Sequence, residues 1–196
     1  MPRTKRALYD GVTLHILNRG HNKGVLFKQK RDFCRFREIV KAYLERYKFS
    51  IFHYCLMSNH FHLLMQVIKG EDLPHIMQGI SQAYANYHKK TYRTTGYLFQ
   101  GRYKSFLIEK DEYLMGCARY IERNPIRAGI VTDLSKYPWS SYNYYANGKP
   151  DDIITTDSIY EGFGKTTQER MKNYIKYVNE SNPYEALLEK AIAQFL

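Results

Sequence analysis

Phe49-Ser-Ile-Phe-His-Tyr-Cys-Leu-Met57, then Ser58-Asn59, then His60-Phe-His-Leu-Leu-Met-Gln-Val-Ile68 reads as two strands joined by a short turn. Bulky apolar and aromatic residues fill both runs, and Ser-Asn is turn chemistry. A hairpin at this place puts an antiparallel pair in the middle of the order. Upstream, Val12-Thr-Leu-His-Ile-Leu17 is β-rich and Asn18 to Gly24 is a loop. Residues 30–47 then place Phe33, Phe36, Ile39, Val40, Tyr43 and Leu44 at helical spacing. Downstream, residues 73–90 form a second amphipathic helix with Ile76, Met77, Ile80 and Tyr84 on one stripe, and residues 103–109 form a fourth strand. Asp111 caps a third helix that runs to Asn124, where Pro125 disfavours continuation. The order β-α-β-β-α-β plus a helix predicts an α+β fold of the ferredoxin-like kind, an antiparallel sheet with helices packed on it.

The hairpin also carries chemistry. On a strand, His60 and His62 project from one face, about 6.5–7 Å apart at Cα, a spacing at which two imidazoles can share a metal ion. Phe61 then points to the other face. Half-exposed polar positions on a strand give the same His-x-His spacing, so the pair needs support from elsewhere. Tyr120 and Asn124, four residues apart, share a helix face, beside an apolar stripe of Leu114, Ala118 and Ile121. A helical tyrosine is ordinarily a packing residue. Next to a metal-bound phosphate, however, a phenol can attack phosphorus and hold the phosphoryl group covalently.

Composition points the same way. The chain has 30 Lys and Arg against 19 Asp and Glu, a net charge of +11, with 19 tyrosines and 10 phenylalanines among the cations. That balance favours a polyanion, with nucleic acid ahead of a membrane surface, because unpaired bases stack on aromatic faces while phosphates meet cations. Residues 89–104 mix five cations with three tyrosines and a phenylalanine between a helix and a strand. Arg93, Gln100, Arg102 and Lys104 there, with Arg123 and Arg127 beside Tyr120, are the candidate DNA-binding residues. Arg119 is read either as part of that surface or as a solvated side chain. His15, His21, His53, His75 and His88 read as packing, loop or surface residues, Asn59 as a turn residue and Trp139 as a core anchor. Three cysteines without a CxxC pair fit a reducing compartment. With no apolar run of membrane length and no secretory h-region, the expectation is a cytoplasmic protein with no membrane partner. Asn147-Gly-Lys-Pro150 divides the chain into residues 1–146 and a helical extension, residues 147–196. In that extension Tyr174, Ile175, Val178, Leu187, Leu188 and Ile192 are expected to pack on the rest, with accessory DNA contacts as the alternative.

Five stretches in order carry a family resemblance: Asn18-Arg-Gly-His-Asn-Lys-Gly24, His53-Tyr-Cys-Leu-Met-Ser-Asn-His-Phe-His-Leu-Leu64, Leu98-Phe-Gln-Gly-Arg-Tyr-Lys-Ser105, Tyr120-Ile-Glu-Arg-Asn-Pro-Ile-Arg-Ala-Gly-Ile-Val131 and Pro138-Trp-Ser-Ser-Tyr142. Over about the first 145 residues the chain resembles the HUH-type single-strand DNA transposases with one catalytic tyrosine, especially the REP-associated tyrosine transposases. The resemblance implies that Tyr120 is the nucleophile and that His60 and His62 are metal ligands, with Asn124 as a third, for Mg²⁺ or Mn²⁺. Many relatives carry glutamine at that third position, and Asn124 can equally cap its helix. The implied reaction cuts single-stranded DNA near a hairpin, leaving a 5′-phosphotyrosine and a free 3′-hydroxyl, with the protein acting as a monomer or homodimer. The rivals are a non-cleaving hairpin DNA- or RNA-binding protein and a metallohydrolase that uses water.

Overall fold

In a computed structural model that describes residues 9–180 (the Glu112 side chain apart) with Lys190, Ile192 and Phe195, the hairpin forms as the sequence predicts. Strand β1 (Val12–Arg19) leads to helix α1 (Lys30–Arg46), the hairpin strands β2 (Phe49–Met57) and β3 (His60–Val67), helix α2 (Asp72–Tyr92) and strand β4 (Lys104–Leu107). The strands lie in the order β2-β3-β1-β4, every neighbour antiparallel. This is the arrangement expected of a split β-α-β fold. Strand β4 is shorter than predicted, and α2 extends two residues further.

Alternation assigns the two faces of the sheet. Val12, Leu14 and Ile16 of β1, with Phe61, Leu63, Met65 and Val67 of β3, pack beneath α1 and α2 on Phe36, Val40, Ile76, Ile80 and Tyr84. Leu17 and Leu64 face the other way. Strand β2 changes parity part-way: Phe49 and Ile51 join the α1/α2 side, and so do Tyr54 and Leu56. The switch is a β-bulge, with Ile51 opposite Met65 and His53 opposite the adjacent Leu64, so that Phe52 is the extra residue. The bulge turns His53 and Cys55 to the far face. Helices α1 and α2 approach so closely that a Cβ at Gly79 would run into the Tyr43 ring.

Asp32 ties the same two helices. Its fully buried carboxylate accepts from the Lys28 and Gln29 amides at the start of α1, and from the Tyr87 and Tyr92 hydroxyls of α2. Burial alone would raise its pKa. The hydrogen bonds from Tyr92, Tyr87 and the two amides outweigh that and hold it below the usual carboxylate range.

The far face is covered by helix α3 (Asp111–Glu122). Pro125 does not end the helical path as expected. A second turn, α4 (Asn124–Arg127), follows a slight break at Arg123, and Pro125 sits in its first turn, where a missing N–H costs nothing. Helix α5 (Tyr142–Asn147) and helix α6 (Thr167–Asn179) complete this layer, with Tyr145, Tyr174 and Val178 in one core with Tyr120. Edge strand β2 is protected by later chain: the Leu56 amide donates to the Trp139 carbonyl, the Ser141 amide to Tyr54 and the Thr155 amide to Ile51. Trp139 is half-buried and stacks on Phe33. Ile192 is buried, whereas Leu187 and Leu188 lie outside the described residues. No helix among the described residues is long and apolar enough to cross a membrane.

Candidate active site

His60 and His62 emerge from β3 on the α3 face, their rings 5.0 Å apart at the centroids and perpendicular. Each ring is held through Nδ1. Asn59 Oδ1 lies 2.7 Å from His60 Nδ1. An amide oxygen only accepts, so His60 Nδ1 carries the hydrogen and Nε2 carries the lone pair of a neutral ring. His62 Nδ1 lies 2.9 Å from Nε2 of His15, the fully buried β1 histidine paired across from Leu64. When His62 donates in that contact, its Nε2 is likewise a lone pair. Both Nε2 atoms are buried and without a hydrogen-bond partner.

Burial also fixes the protonation state. Desolvation pushes His60 down to about 4 and His15 down to about 3. His62 falls well below the ordinary imidazole range, first through desolvation and then through repulsion by His60, His15 and Arg127. Neutral rings with orphaned lone pairs on neighbouring Nε2 atoms fit a divalent cation. Among the described residues, no three His, Cys, Asp or Glu side chains cluster with metal-ligand geometry.

Asn124 caps the end of α3. Its amide nitrogen donates to the carbonyls of Tyr120 and Ile121 at 3.0 and 3.1 Å, satisfying the end of α3. The same amide faces His60 and favours its protonated form, although His60 Nε2 makes no well-formed hydrogen bond.

Tyr120 completes the group. Its ring lies 5.9 Å from that of His62 and 6.2 Å from that of His15, and the residue is 2 % exposed. The Arg127 guanidinium stands 3.8 Å from the centre of the Tyr120 ring and donates to the Tyr120 carbonyl at 2.9 Å. A cation over the ring stabilises negative charge developing on the phenol. The structure therefore brings His60, His62, Tyr120, Asn124 and Arg127 together.

The other sequence candidates divide. Arg93, Gln100 and Arg102 are exposed, and the Gln100 amide donates to the carbonyl of Arg19, the β1 partner of His60. Lys104 holds its ammonium 4.7 Å over the Phe195 ring, and Arg123 donates to the Val178 carbonyl. Arg119 is not solvated. It is 1 % exposed and bonds the Tyr177 and Val178 carbonyls, because α6 covers the helix face that the sequence left open. His15 and Asn59, read from sequence as packing and turn residues, are the groups that orient the histidine pair. The local sequence marked Asn59 through its adjacency to His60. His15 carries no such mark, since its partner is 47 positions away.

Comparison with known proteins identifies the family. The chain is 28% identical over 119 residues, 55% of its length and 67% of the other, to a Haemophilus influenzae protein that bears the name REP-associated tyrosine transposase. A solved REP-associated tyrosine transposase bound to a REP hairpin shares its fold, with a TM-score of 0.64 at 18% identity, over 80% of this chain and 93% of that one. The family described as IS200-like transposases matches residues 9–124, more than half of the chain and every element from β1 through α3. The chain belongs to the IS200-like transposase family.

Proposed function

We propose that this transposase cuts and rejoins single-stranded DNA beside a hairpin, with Tyr120 as the nucleophile and a divalent cation, Mg²⁺ or Mn²⁺, held by His60, His62 and the Asn124 oxygen. The observation that carries the reading is the position of the Tyr120 ring 5.9 Å from His62, beside two buried imidazoles whose Nε2 atoms lack partners. A hairpin substrate is supported by the relative solved with a REP hairpin.

When bound, the cation polarises the scissile phosphate and neutralises charge on it. The rest falls to the chain. Tyr120 loses its phenolic proton and its oxygen attacks phosphorus. The bond from phosphorus to the 3′ oxygen breaks, and that oxygen leaves as a protonated 3′-hydroxyl. A 5′-phosphotyrosine remains, and attack by a 3′-hydroxyl reverses the step and frees the phenol. Arg127, over the ring, favours the phenolate during attack and again during release. His15 and Asn59 keep the imidazoles aimed. Arg93, Gln100 and Arg102 offer contacts to the strand near the His60 end of the sheet, phosphate contacts setting register more than sequence.

The test mixes the protein with Mn²⁺ or Mg²⁺ and labelled single-stranded hairpins from the DNA flanking its gene. A denaturation-resistant protein–DNA adduct is expected, absent with Tyr120→Phe. Specific binding without an adduct under either metal would favour the non-cleaving reading, and cleavage that survives Tyr120→Phe would favour water as the nucleophile.

A further inference from the structure

Every residue of α3 from Leu114 to Glu122 is buried. The sheet accounts for one side. On the other, α6, which lies outside residues 9–124 that carry the family match, meets it at Arg119 and Glu122. The contacts between α3 and α6 are polar and directional. Glu122, fully buried, accepts from the Tyr174 hydroxyl of α6 at 2.8 Å and from the Ser141 hydroxyl at 2.5 Å. His53 of β2 places Nδ1 2.9 Å from the same carboxylate. Asp157 lies 3.7 Å from the other side of the His53 ring, and the two carboxylates outweigh the desolvation of burial to raise the His53 pKa. One turn back, Arg119 Nε bonds the carbonyls of Tyr177 and Val178 at 3.1 Å, and Arg123 bonds Val178 at 3.0 Å. Those carbonyls belong to the C-terminal turn of α6, where backbone acceptors lack helical partners and the helix dipole is negative.

We infer that α6 is part of the active-site apparatus: through Glu122, Tyr174 and Arg119, as positioning residues, it fixes the rotation of α3 and so the aim of Tyr120. The inference rests on the reading of Tyr120 as nucleophile. Apolar packing alone permits a helix to turn slightly about its axis, whereas hydrogen bonds to a carboxylate and to carbonyls demand direction. A rotation of about 10° carries a side-chain tip about 6 Å from the helix axis through about 1 Å. A displacement of that order at a reacting atom costs about 10²-fold in rate. The anchors come from three places: β2, the segment that covers its edge, and α6. The helix is thereby referenced to the same sheet that holds His60 and His62.

The full chain with Tyr174→Phe tests this, with Glu122→Gln as a second variant and exposed Lys41→Ala as control. Hydrogen exchange over residues 111–127, hairpin affinity and the single-turnover rate of adduct formation are measured together. Loss of one buried hydrogen bond is expected to speed exchange in α3 about fivefold to tenfold, with α1 and α2 unchanged. Adduct formation falls about tenfold or more, as expected for a misaimed nucleophile, while hairpin affinity stays within about twofold. Unchanged exchange in α3 would overturn the inference, as would loosened α3 with an undiminished adduct rate. Faster exchange throughout α1 and α2 would mean general destabilisation and would overturn it too. If the unaltered protein forms no adduct while Tyr174→Phe still loosens α3 alone, the nucleophile reading fails and α6 stands as the element that holds this helix.

Discussion

His15 Nε2 lies 2.9 Å from His62 Nδ1, across two neighbouring strands and in full burial. The contact leaves His62 Nε2 as the only ring nitrogen for another partner, and it fixes the ring plane. Groups that orient a metal-binding imidazole in this way typically contribute 10–100-fold in metal affinity. His15→Phe keeps the ring volume and its packing on Phe106. It is expected to weaken Mn²⁺ binding about 10–100-fold while shifting stability by about 1–2 kcal/mol at most. Calorimetric titration of Mn²⁺ decides, and unchanged affinity would remove His15 from the site.

Arg127 stands 3.8 Å from the centre of the Tyr120 ring. Arg127→Met keeps the aliphatic stem and removes the charge. Adduct formation is expected to slow about 10²-fold, comparable to the loss of one preorganised electrostatic donor. Arg127 also helps to hold the pKa of His60 and His62 down, so both rings should titrate at higher pH in the variant. Single-turnover rates and imidazole titration by NMR check the two effects separately.

Asp32 links stability to pH. Its folded pKa lies below the ordinary value of 3.8, so its contribution is present above about 3.8 and is lost as pH falls through the folded value. Asp32→Asn should cost about 1–3 kcal/mol at neutral pH, where the carboxylate accepts four hydrogen bonds that an amide cannot reproduce. The difference from the unaltered protein should shrink at pH 3. Urea unfolding at the two pH values measures it, and a gap that widens in acid would contradict the assignment.

Phe52 is the extra residue of the β2 bulge. Deleting it leaves Phe49, Ile51, Tyr54 and Leu56 in strict alternation on the α1/α2 side and removes the carbonyl that accepts from the Tyr145 hydroxyl. The core set is kept, and the cost is about 1–3 kcal/mol for the lost hydrogen bond. The expected result is cooperative thermal unfolding at a lower midpoint. A deletion variant without cooperative unfolding would show that the core depends on the bulge itself.

The element order was legible because each helix shows clear 3.6-residue spacing and the hairpin turn is marked by Ser58-Asn59. The bulge was not, since Phe49 to Met57 is almost wholly apolar or aromatic and has no alternation to break. Tyr120, His60 and His62 could be paired from spacing and resemblance. His15 could not, because its role depends on the β1–β3 register. Arg119 and Glu122 were hidden for a related reason: a helix face rich in charge reads as solvated until a distant segment covers it. That segment includes Tyr174, Tyr177 and Val178, more than fifty positions away.

Strand β3 gives alternate residues to two tasks, Phe61, Leu63, Met65 and Val67 to the core and His60 and His62 to the proposed metal pair. A one-residue insertion or deletion within it exchanges the two sets, so the hydrophobic core and the ligand pair fail in the same event. On the reading of this site as a tyrosine nuclease, lineages that lose the chemistry while keeping the fold do so more readily by point substitution, at His60, His62 or Tyr120 for example, than by a change of length in β3. In such descendants the length of β3 should be preserved even where its histidines are not, which leaves a readable trace of how the chemistry was lost.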